Sequence, residues 1–282
     1  MGFHSDNTLI MKLFRGLFHR NTTDGVPGWQ LILPSLVLIG LIGLPIFALI
    51  WRSVNVKIFS LAISESVLNA LKLSLITSIA SVAISLVSGT PLAYIQVHWK
   101  FRGRAILDLL VDLPVVLPPS VAGIALLLAF GRGGIFGGML NTIGITLPFT
   151  TVAVVMAQVF VSAPLLVRSA RIGFAAIDPQ LEEAARVEGA NNWHIFRLIM
   201  LPLAGRALFT GIILSWTRAL GEFRATLLFA GNLEGKTQTM PLAIYVGFEQ
   251  GLGVALVLSV ILLAVSLVLL TLLRRLELQA QH

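Results

Sequence analysis

Three charged side chains, Arg218, Glu222 and Arg224, interrupt an otherwise apolar stretch over residues 207–229. An ionisable residue inside a membrane span is costly, so it usually faces a cavity or a partner. Arg218 and Glu222 are four residues apart and therefore share one face of a helix, where they can pair. Two interpretations stay open. In the first, Arg218 or Arg224 gives an anion a favourable stop, or Glu222 limits the dwell time of that anion. In the second, Arg218 and Glu222 form a structural ion pair.

Catalytic chemistry has no candidate residues in this sequence. The chain contains no cysteine, which excludes thiol nucleophiles and thiolate metal sites, and its five histidines lack the spacing of metal ligands. Gly235-Lys236-Thr237 resembles the end of a nucleotide-binding loop, but Ala230 stands where that loop requires glycine. We therefore expect no metal or cofactor on this chain and no enzymatic activity of the chain alone.

A polar stretch between two apolar runs predicts a pair of short helices. Asp178 suits the capping position of a helix that begins at Pro179, and Gly189 suits the left-handed residue that ends it. Asn191 or the next asparagine can cap a second helix, which Pro202 is expected to stop. A plain amphipathic connector is the alternative interpretation of this stretch.

The composition indicates an all-α integral membrane protein. Of the 282 residues, 56% are hydrophobic and only 12% are charged, about half the charged share of a soluble domain. A bilayer-spanning helix needs about 20 apolar residues, and the run at 207–229 joins five uncharged runs that meet this length. These five are residues 31–51, 73–97, 113–131, 147–167 and 250–273. The sequence therefore predicts about six transmembrane helices.

Lysine and arginine predict the orientation, because basic residues are retained on the cytoplasmic side of a membrane. With the N-terminus inside, thirteen of them fall in inner segments and four in outer loops (Arg52, Lys57, Arg132 and Lys236). Both termini are therefore predicted to be cytoplasmic, and this explains the net charge of +7 better than a nucleic-acid partner does. The predicted organisation is a cytoplasmic tail with an amphipathic surface helix at residues 1–30, a membrane domain at 31–275 whose inner loop covers 171–204, and a cytoplasmic tail at 276–282.

Prolines interrupt the third apolar run. Pro114, Pro118 and Pro119 each remove a backbone hydrogen bond, and the freed groups must face protein or a water-filled path rather than lipid. This run is therefore a candidate wall of a pore, and a simple packing kink is the alternative.

The inner loop resembles the loop signature of permease subunits of bacterial ABC importers. The matching pattern is Glu183-Ala184-Ala185, three residues, Gly189, nine residues, Ile199, one residue and Leu201-Pro202. In that family the short helix is the coupling helix, which docks in a groove of the ATPase subunit. The resemblance implies a type I-like importer permease fold. It also implies a coupling role for Glu182, Glu183, Ala184, Ala185, Gly189, Ile199, Leu201 and Pro202.

A second resemblance concerns the cargo. The segments Asp112-Leu113-Pro114, Leu117-Pro118-Pro119-Ser120, Arg218-Ala219-Leu220-Gly221-Glu222-Phe223 and Ala225-Thr226 look like molybdate permeases and their sulfate relatives. Residues 237–245 look closer to the molybdate branch, whereas Arg224 departs from the small residue common at its position. The resemblance implies an oxyanion path along Asp112, Pro118, Pro119, Ser120, Arg218, Glu222, Arg224 and Thr226.

The resemblance also implies partners and a location. Two copies of the chain would enclose one path in the bacterial inner membrane, in contact with lipid. Cytoplasmic ATP-binding cassette subunits would hold ATP and Mg, and a periplasmic or outer-side binding protein would deliver the oxyanion. A sulfate or tungstate permease is the nearest alternative. A self-sufficient secondary transporter or channel is a different class, and it often shows internal repeats, which are not apparent here.

Overall fold

The computed structural model describes residues 28–54, 62 and 64–280, and all regular secondary structure within these ranges is helical. Four of the helices are long and apolar enough to cross a membrane. They are α1 (Gly28–Val54), α2 (Glu65–His98), α6 (Thr151–Ala175) and α12 (Leu252–Ala280). The amphipathic helix predicted in the N-terminal tail lies outside the described residues.

The third apolar run is two helices rather than one. α3 (Arg104–Val116) and α4 (Pro119–Phe130) meet at a bend of 120°. Leu117 and Pro118 are both extended, with ψ of 135° and 134°, because a residue that precedes proline avoids the helical region. The interruption that the prolines predict in the run at residues 113–131 is therefore confirmed, since Pro118 and Pro119 in succession end one helix and begin another.

The fifth apolar run is also divided. α8 (Asn192–Leu203) and α9 (Gly205–Leu220) meet at 72°, and α10 (Arg224–Ala230) follows after a break at residues 221–223. The expectation that Pro202 stops the second loop helix was wrong, because Pro202 lies inside α8. If each bent pair counts as one span, the described chain has up to six spans, as the sequence predicts.

The remaining helices are α5 (Gly137–Thr142), α7 (Pro179–Val187) and α11 (Met240–Gln250).

The chain divides into two compact units, residues 1–48 and 49–282. The described part of the first unit is the helix over residues 28–48, which is apolar and contains Pro34 and Pro45. The second unit contains every other helix.

Small residues join the central helices of the second unit. A Cβ added to Gly89 of α2 would lie 2.9 Å from the side chain of Val167 on α6, and one added to Gly173 of α6 would lie 2.5 Å from Ala207 on α9. The Ser169 hydroxyl on α6 donates to the backbone oxygen of Ala207 at 2.6 Å. Close approach through small residues is how helices associate in lipid, where no hydrophobic force drives them together.

Three buried clusters fill this unit. One joins α4, α6 and α10 around Phe229, and a second joins α2, α9, α11 and α12 around Leu258. The third lies where α2 and α6 end, and it includes Phe174, Ile195 and Met200. This third cluster positions the predicted inner loop at residues 171–204.

Candidate functional site

The short helix α7 is defined at both ends by the residues that predict it. Asp178 Oδ1 accepts a hydrogen bond from Gln180 N at 2.9 Å, and Pro179 is the first helical residue. Gly189 has φ of +90°, and the next residue, Ala190, donates its N–H to the Ala185 oxygen at 2.9 Å. This pattern is the Schellman ending, which favours glycine at the left-handed position. The predicted start and end of this helix are confirmed.

One face of α7 contacts the helical body and the opposite face is free. The Glu182 side chain is only 13% exposed, and Ala185 packs against the cluster around Phe174. On the free face Val187 is 89% exposed and Leu181 47%, and Glu183 and Ala184 are exposed as well. A helix that presents apolar and acidic side chains outward, while its other side is fixed, offers a docking surface for a partner.

His98, at the end of α2, holds the inner face of α7. Its Nε2 lies 2.6 Å from Glu182 Oε1, and its Nδ1 lies 3.0 Å from the Tyr94 carbonyl oxygen. A carbonyl oxygen only accepts, so Nδ1 is the donor in the contact with Tyr94, and Nε2 is left to contact Glu182. Arg186 lies 3.7 Å from the other Glu182 oxygen. Sequence reasoning missed this contact, because 84 residues separate the two partners.

The second loop helix, α8, anchors the loop. Asn191 Oδ1 accepts from His194 N at 2.8 Å, which confirms the predicted cap. Ile195 and Met200 are buried, and the segment between them, Ile195–Met200, is a π-helix. Ile199 and Leu201 pack against the same cluster, whereas Pro202 is exposed. Of the residues in the loop signature, Ala185, Ile199 and Leu201 thus pack inward, and Glu183, Ala184 and Pro202 are exposed.

A charged network joins α3 to α6 near the same end of the bundle. Arg168 Nε donates to Asp112 Oδ1 at 2.6 Å, and Arg171 lies 3.8 Å from Asp108 and 3.9 Å from Asp112. Gln96 of α2 donates to Asp108 at 2.7 Å. Asp112, which is predicted to line an anion path, belongs to this network. The spacing of these residues in the sequence could have predicted the network. Asp108 and Asp112 are four residues apart and Arg168 and Arg171 are three residues apart, so the members of each pair share one face of a helix.

Arg218, Glu222 and Arg224 lie at the end of α9, in the break that follows it and at the start of α10. Arg218 donates to Glu222 Oε2 at 2.7 Å, and Glu222 Oε1 accepts from Ala225 N at 2.8 Å. Glu222 is 1% exposed, so its buried carboxylate has partners for both oxygens. The predicted pairing of Arg218 and Glu222 is confirmed, although Glu222 lies just beyond the end of α9. Arg224 is exposed.

The two broken runs contact each other through α4 and α10. A Cβ on Gly123 would lie 3.0 Å from the Ala225 Cα, so the backbones approach closely. Ser120, in the first turn of α4, is half-buried, as is Pro119, whereas Pro118 is exposed. Thr226 is fully buried, and its hydroxyl has no partner among the described residues. Of the residues predicted to line a path, the structure thus brings those of α4 near those of α10, and it pairs Asp112 elsewhere.

Arg218 also lines an opening between α9 and α12. This opening has a volume of about 330 Å³, and Thr217 and Ser266 lie along it beside apolar residues. The Arg218 side chain is 33% exposed. Its guanidinium therefore has donors beyond the one that Glu222 accepts. In the described part of the chain, no group of three or more His, Asp or Glu side chains could hold a metal ion.

Comparison with known proteins gives a family match over most of the chain. Residues 81–280 match the family described as binding-protein-dependent transport system inner membrane component. The chain is 40% identical over 232 residues to the probable transport system permease protein NifC of Clostridium pasteurianum, which covers 82% of this chain and 81% of the relative.

The names of two further relatives state what they transport. The molybdenum transport system permease protein ModB of Escherichia coli K12 is 39% identical over 206 residues, 71% of this chain and 90% of the relative. The sulfate transport system permease protein CysT of the same organism is 34% identical over 251 residues, 87% of this chain and 91% of the relative.

A solved structure has the same fold. A chain of a bacterial alginate ABC transporter, crystallised with an alginate-bound periplasmic protein, superposes with a TM-score of 0.73 at 18% identity. The match covers 88% of this chain and 93% of that chain. The α7 loop and the bent helix pairs therefore occur on a helical architecture already known from transporters.

Proposed function

Because this chain belongs to the family of binding-protein-dependent transport system inner membrane components, the membrane permeases of ABC importers, we propose that it carries a tetrahedral oxyanion across the membrane, and that this oxyanion is molybdate. The chain is a multi-pass membrane protein and is not catalytic alone. Its energy would come from the hydrolysis of ATP, which separate ATP-binding cassette subunits would bind together with Mg.

The observation that carries this proposal is the two-sided packing of α7. Glu182 and Ala185 hold one side to the bundle, and Leu181, Glu183 and Val187 leave the other side free. A cytoplasmic ATPase subunit would bind the free side of α7. The fixed side would transmit its movement, since α7 follows the end of α6 after only three residues.

Movement of α7 has a physical route into the membrane domain. The end of α6 carries Arg168 and Arg171, which hold α3 through Asp108 and Asp112. α3 continues through the 120° bend into α4, which packs on α10 next to Glu222. A displacement of the loop would therefore reach the break that carries Arg218 and Glu222, and the path would open alternately to each side.

We infer the assembly and the orientation from the family resemblance and the charge distribution. Two copies of the chain would enclose one path, with both termini and α7 in the cytoplasm of a bacterium, as the excess of basic residues in the inner segments favours. A binding protein on the outer side would deliver the anion. Arg218 would offer that anion a favourable stop, and the buried Glu222 would keep its binding weak enough for release.

The choice of molybdate rests on the names and identities of relatives. A molybdenum permease is 39% identical over nine-tenths of its own length, and a sulfate permease is 34% identical over a similar share. Sulfate is therefore the second candidate, and tungstate, which resembles molybdate in shape and charge, is a third cargo for the same path.

The test is uptake by the reconstituted importer. Proteoliposomes that contain this chain and its ATPase, with the binding protein outside, should accumulate molybdate only when ATP is inside. Sulfate and tungstate are compared at equal concentration in the same vesicles. Faster uptake of sulfate would reassign the cargo within the same architecture. Accumulation without ATP or ATPase would contradict the importer mechanism and favour a secondary transporter or channel.

A further inference from the structure

An apolar groove lies between α2, α8 and α9, on the side of the bundle next to the α7 loop. Its volume is about 450 Å³, and its walls include Val87, Pro91, Trp193, Phe196, Leu201 and Phe209. A volume of this size accommodates a lipid acyl chain or a comparable apolar segment, whereas it offers almost no polar atom to a hydrophilic ligand.

Large apolar side chains are uncovered along this groove. Val87 is 76% exposed, Trp193 62% and Phe209 45%. Trp193 lies at the start of α8, where the polar loop meets the apolar helices, and tryptophan favours this boundary between water and hydrocarbon. This preference would place the Trp193 end of the groove at the level of the lipid headgroups.

Two exposed arginines that have no ion pair in the described chain lie close in sequence to residues of the groove wall. Arg197 lies four residues after Trp193 and four before Leu201, so it shares a helix side with two residues of the wall. Arg206 lies beside Gly205, which also lines the groove, and three residues before Phe209. Both are exposed, and neither forms an ion pair within the described chain, whereas Arg168, Arg171, Arg186 and Arg218 are all paired.

We propose that this groove binds one anionic phospholipid, with an acyl chain between α2 and α9 and the phosphate at Arg197 and Arg206. Guanidinium groups bind phosphate through paired hydrogen bonds, and basic pockets at helix ends attract anionic headgroups. The groove's apolar wall explains why a lipid rather than free phosphate is the ligand. This site goes beyond the transport function, since it depends neither on the cargo nor on the ATPase.

The bound lipid would support the loop that carries α7. Phe196 lines the groove on one side and contacts the Tyr94 ring on the other, with ring centroids 5.0 Å apart. Tyr94 stacks on His98, which holds Glu182 of α7. A lipid in the groove would thus stabilise the position of Phe196, and through Tyr94 and His98 the position of α7.

The test measures lipid retention by the full chain alone. The chain is placed in phosphatidylcholine nanodiscs with increasing amounts of phosphatidylglycerol, and native mass spectrometry counts the lipids that remain bound. We expect one phosphatidylglycerol to be retained. The double variant Arg197→Gln/Arg206→Gln should weaken its apparent affinity by about fivefold per arginine, the factor typical of one basic residue near an anionic surface.

A second variant fills the groove while it keeps both arginines. A Cβ on Gly205 meets no atom within 4 Å, so Gly205→Phe places a ring in the groove and should abolish retention. Gly138→Phe, at another helical glycine with open space around its Cβ, is the matched control. Arg274→Gln/Arg275→Gln removes the same charge from exposed positions on α12 and should leave the retained lipid unchanged.

Three outcomes would overturn the proposal. The first is equal retention of phosphatidylcholine and phosphatidylglycerol by the unmodified chain. The second is an equal loss in the α12 control. The third concerns a second copy as occupant: the chain has no cysteine, so a Phe209→Cys variant that forms a disulfide-linked dimer in phosphatidylglycerol nanodiscs would show that protein covers this groove.

Discussion

Asp112 on α3 and Arg168 on α6 form a hydrogen-bonded ion pair with 2.6 Å between Oδ1 and Nε. The pair joins the first half of a bent helix pair to the helix that leads into α7. Its side chains are 28% and 40% exposed, so water and salt screen it, and its contribution to the free energy of unfolding is expected to be below about 1 kcal/mol. Its importance would therefore lie in positioning rather than in stability.

Exchange of the two charges tests this role. Asp112→Arg alone should place three positive side chains together and reduce ATP-driven uptake at least tenfold, while the chain still inserts and the ATPase still hydrolyses ATP. The double variant Asp112→Arg/Arg168→Asp restores an opposite-charge pair and should recover a large part of uptake. Uptake and ATP hydrolysis are measured in the same proteoliposomes. Equal activity of the single and double variants would contradict a positioning role for the pair.

Glu183→Lys tests the free face of α7. The side chain is exposed and has no ion pair in the described chain. The reversal should therefore change the free energy of unfolding of the isolated permease by less than about 0.5 kcal/mol. It should nevertheless weaken ATPase binding about tenfold or more, measured as retention of the ATPase on the immobilised permease. Glu234→Lys, which reverses an exposed glutamate in the loop before α11, is the matched control. Unchanged ATPase retention by the Glu183 variant would mean that the motor binds elsewhere.

His98 offers a test of the fixed face of α7. In His98→Ala, Glu182 loses its partner at 2.6 Å and keeps only Arg186 of the same helix. We expect faster amide hydrogen exchange in α7 and a several-fold drop in uptake per ATP hydrolysed. His98→Gln retains an N–H that can donate to Glu182 and should restore most of both. If exchange in α7 is the same in the alanine variant and the unmodified chain, His98 does not hold this helix.

Glu222 separates the two interpretations of the charges in α9 and α10. Glu222→Ala leaves a buried Ala225 N–H and a guanidinium without their acceptor, which should cost about 2 kcal/mol or more of stability and lower the melting temperature in detergent. Glu222→Gln keeps an oxygen for Ala225 N but removes the negative charge near Arg218. If Glu222 limits the dwell time of an anion, the glutamine variant should remain stable yet release cargo more slowly.

A purely structural ion pair would give a different pattern for Glu222. Both variants would then lose stability in proportion to the contacts removed, and the rate of uptake per folded importer would not change. The measurement is initial uptake normalised to the monodisperse fraction of each variant.

Local features of the fold could be predicted from the sequence, and contacts between distant segments could not. Asp178, Pro179 and Gly189 specify both ends of α7 because capping depends on neighbours along the chain. Hydropathy located the apolar runs, but it does not report direction, so the prolines predicted a pore wall or a packing kink and not the 120° bend at Pro118. The pairs Asp112–Arg168 and His98–Glu182 depend on which helices pack together, which the sequence spacing alone does not reveal.

The glycine and serine contacts among α2, α6 and α9 limit where this protein can change shape. Helices that approach each other through glycines and small side chains have little room to slide, because a close-packed interior leaves few voids. These three helices should therefore travel as one rigid body. The corners at Pro118 and Ala204, where the chain turns without a continuous hydrogen-bonded ladder, are then the places where a transport cycle would have to flex.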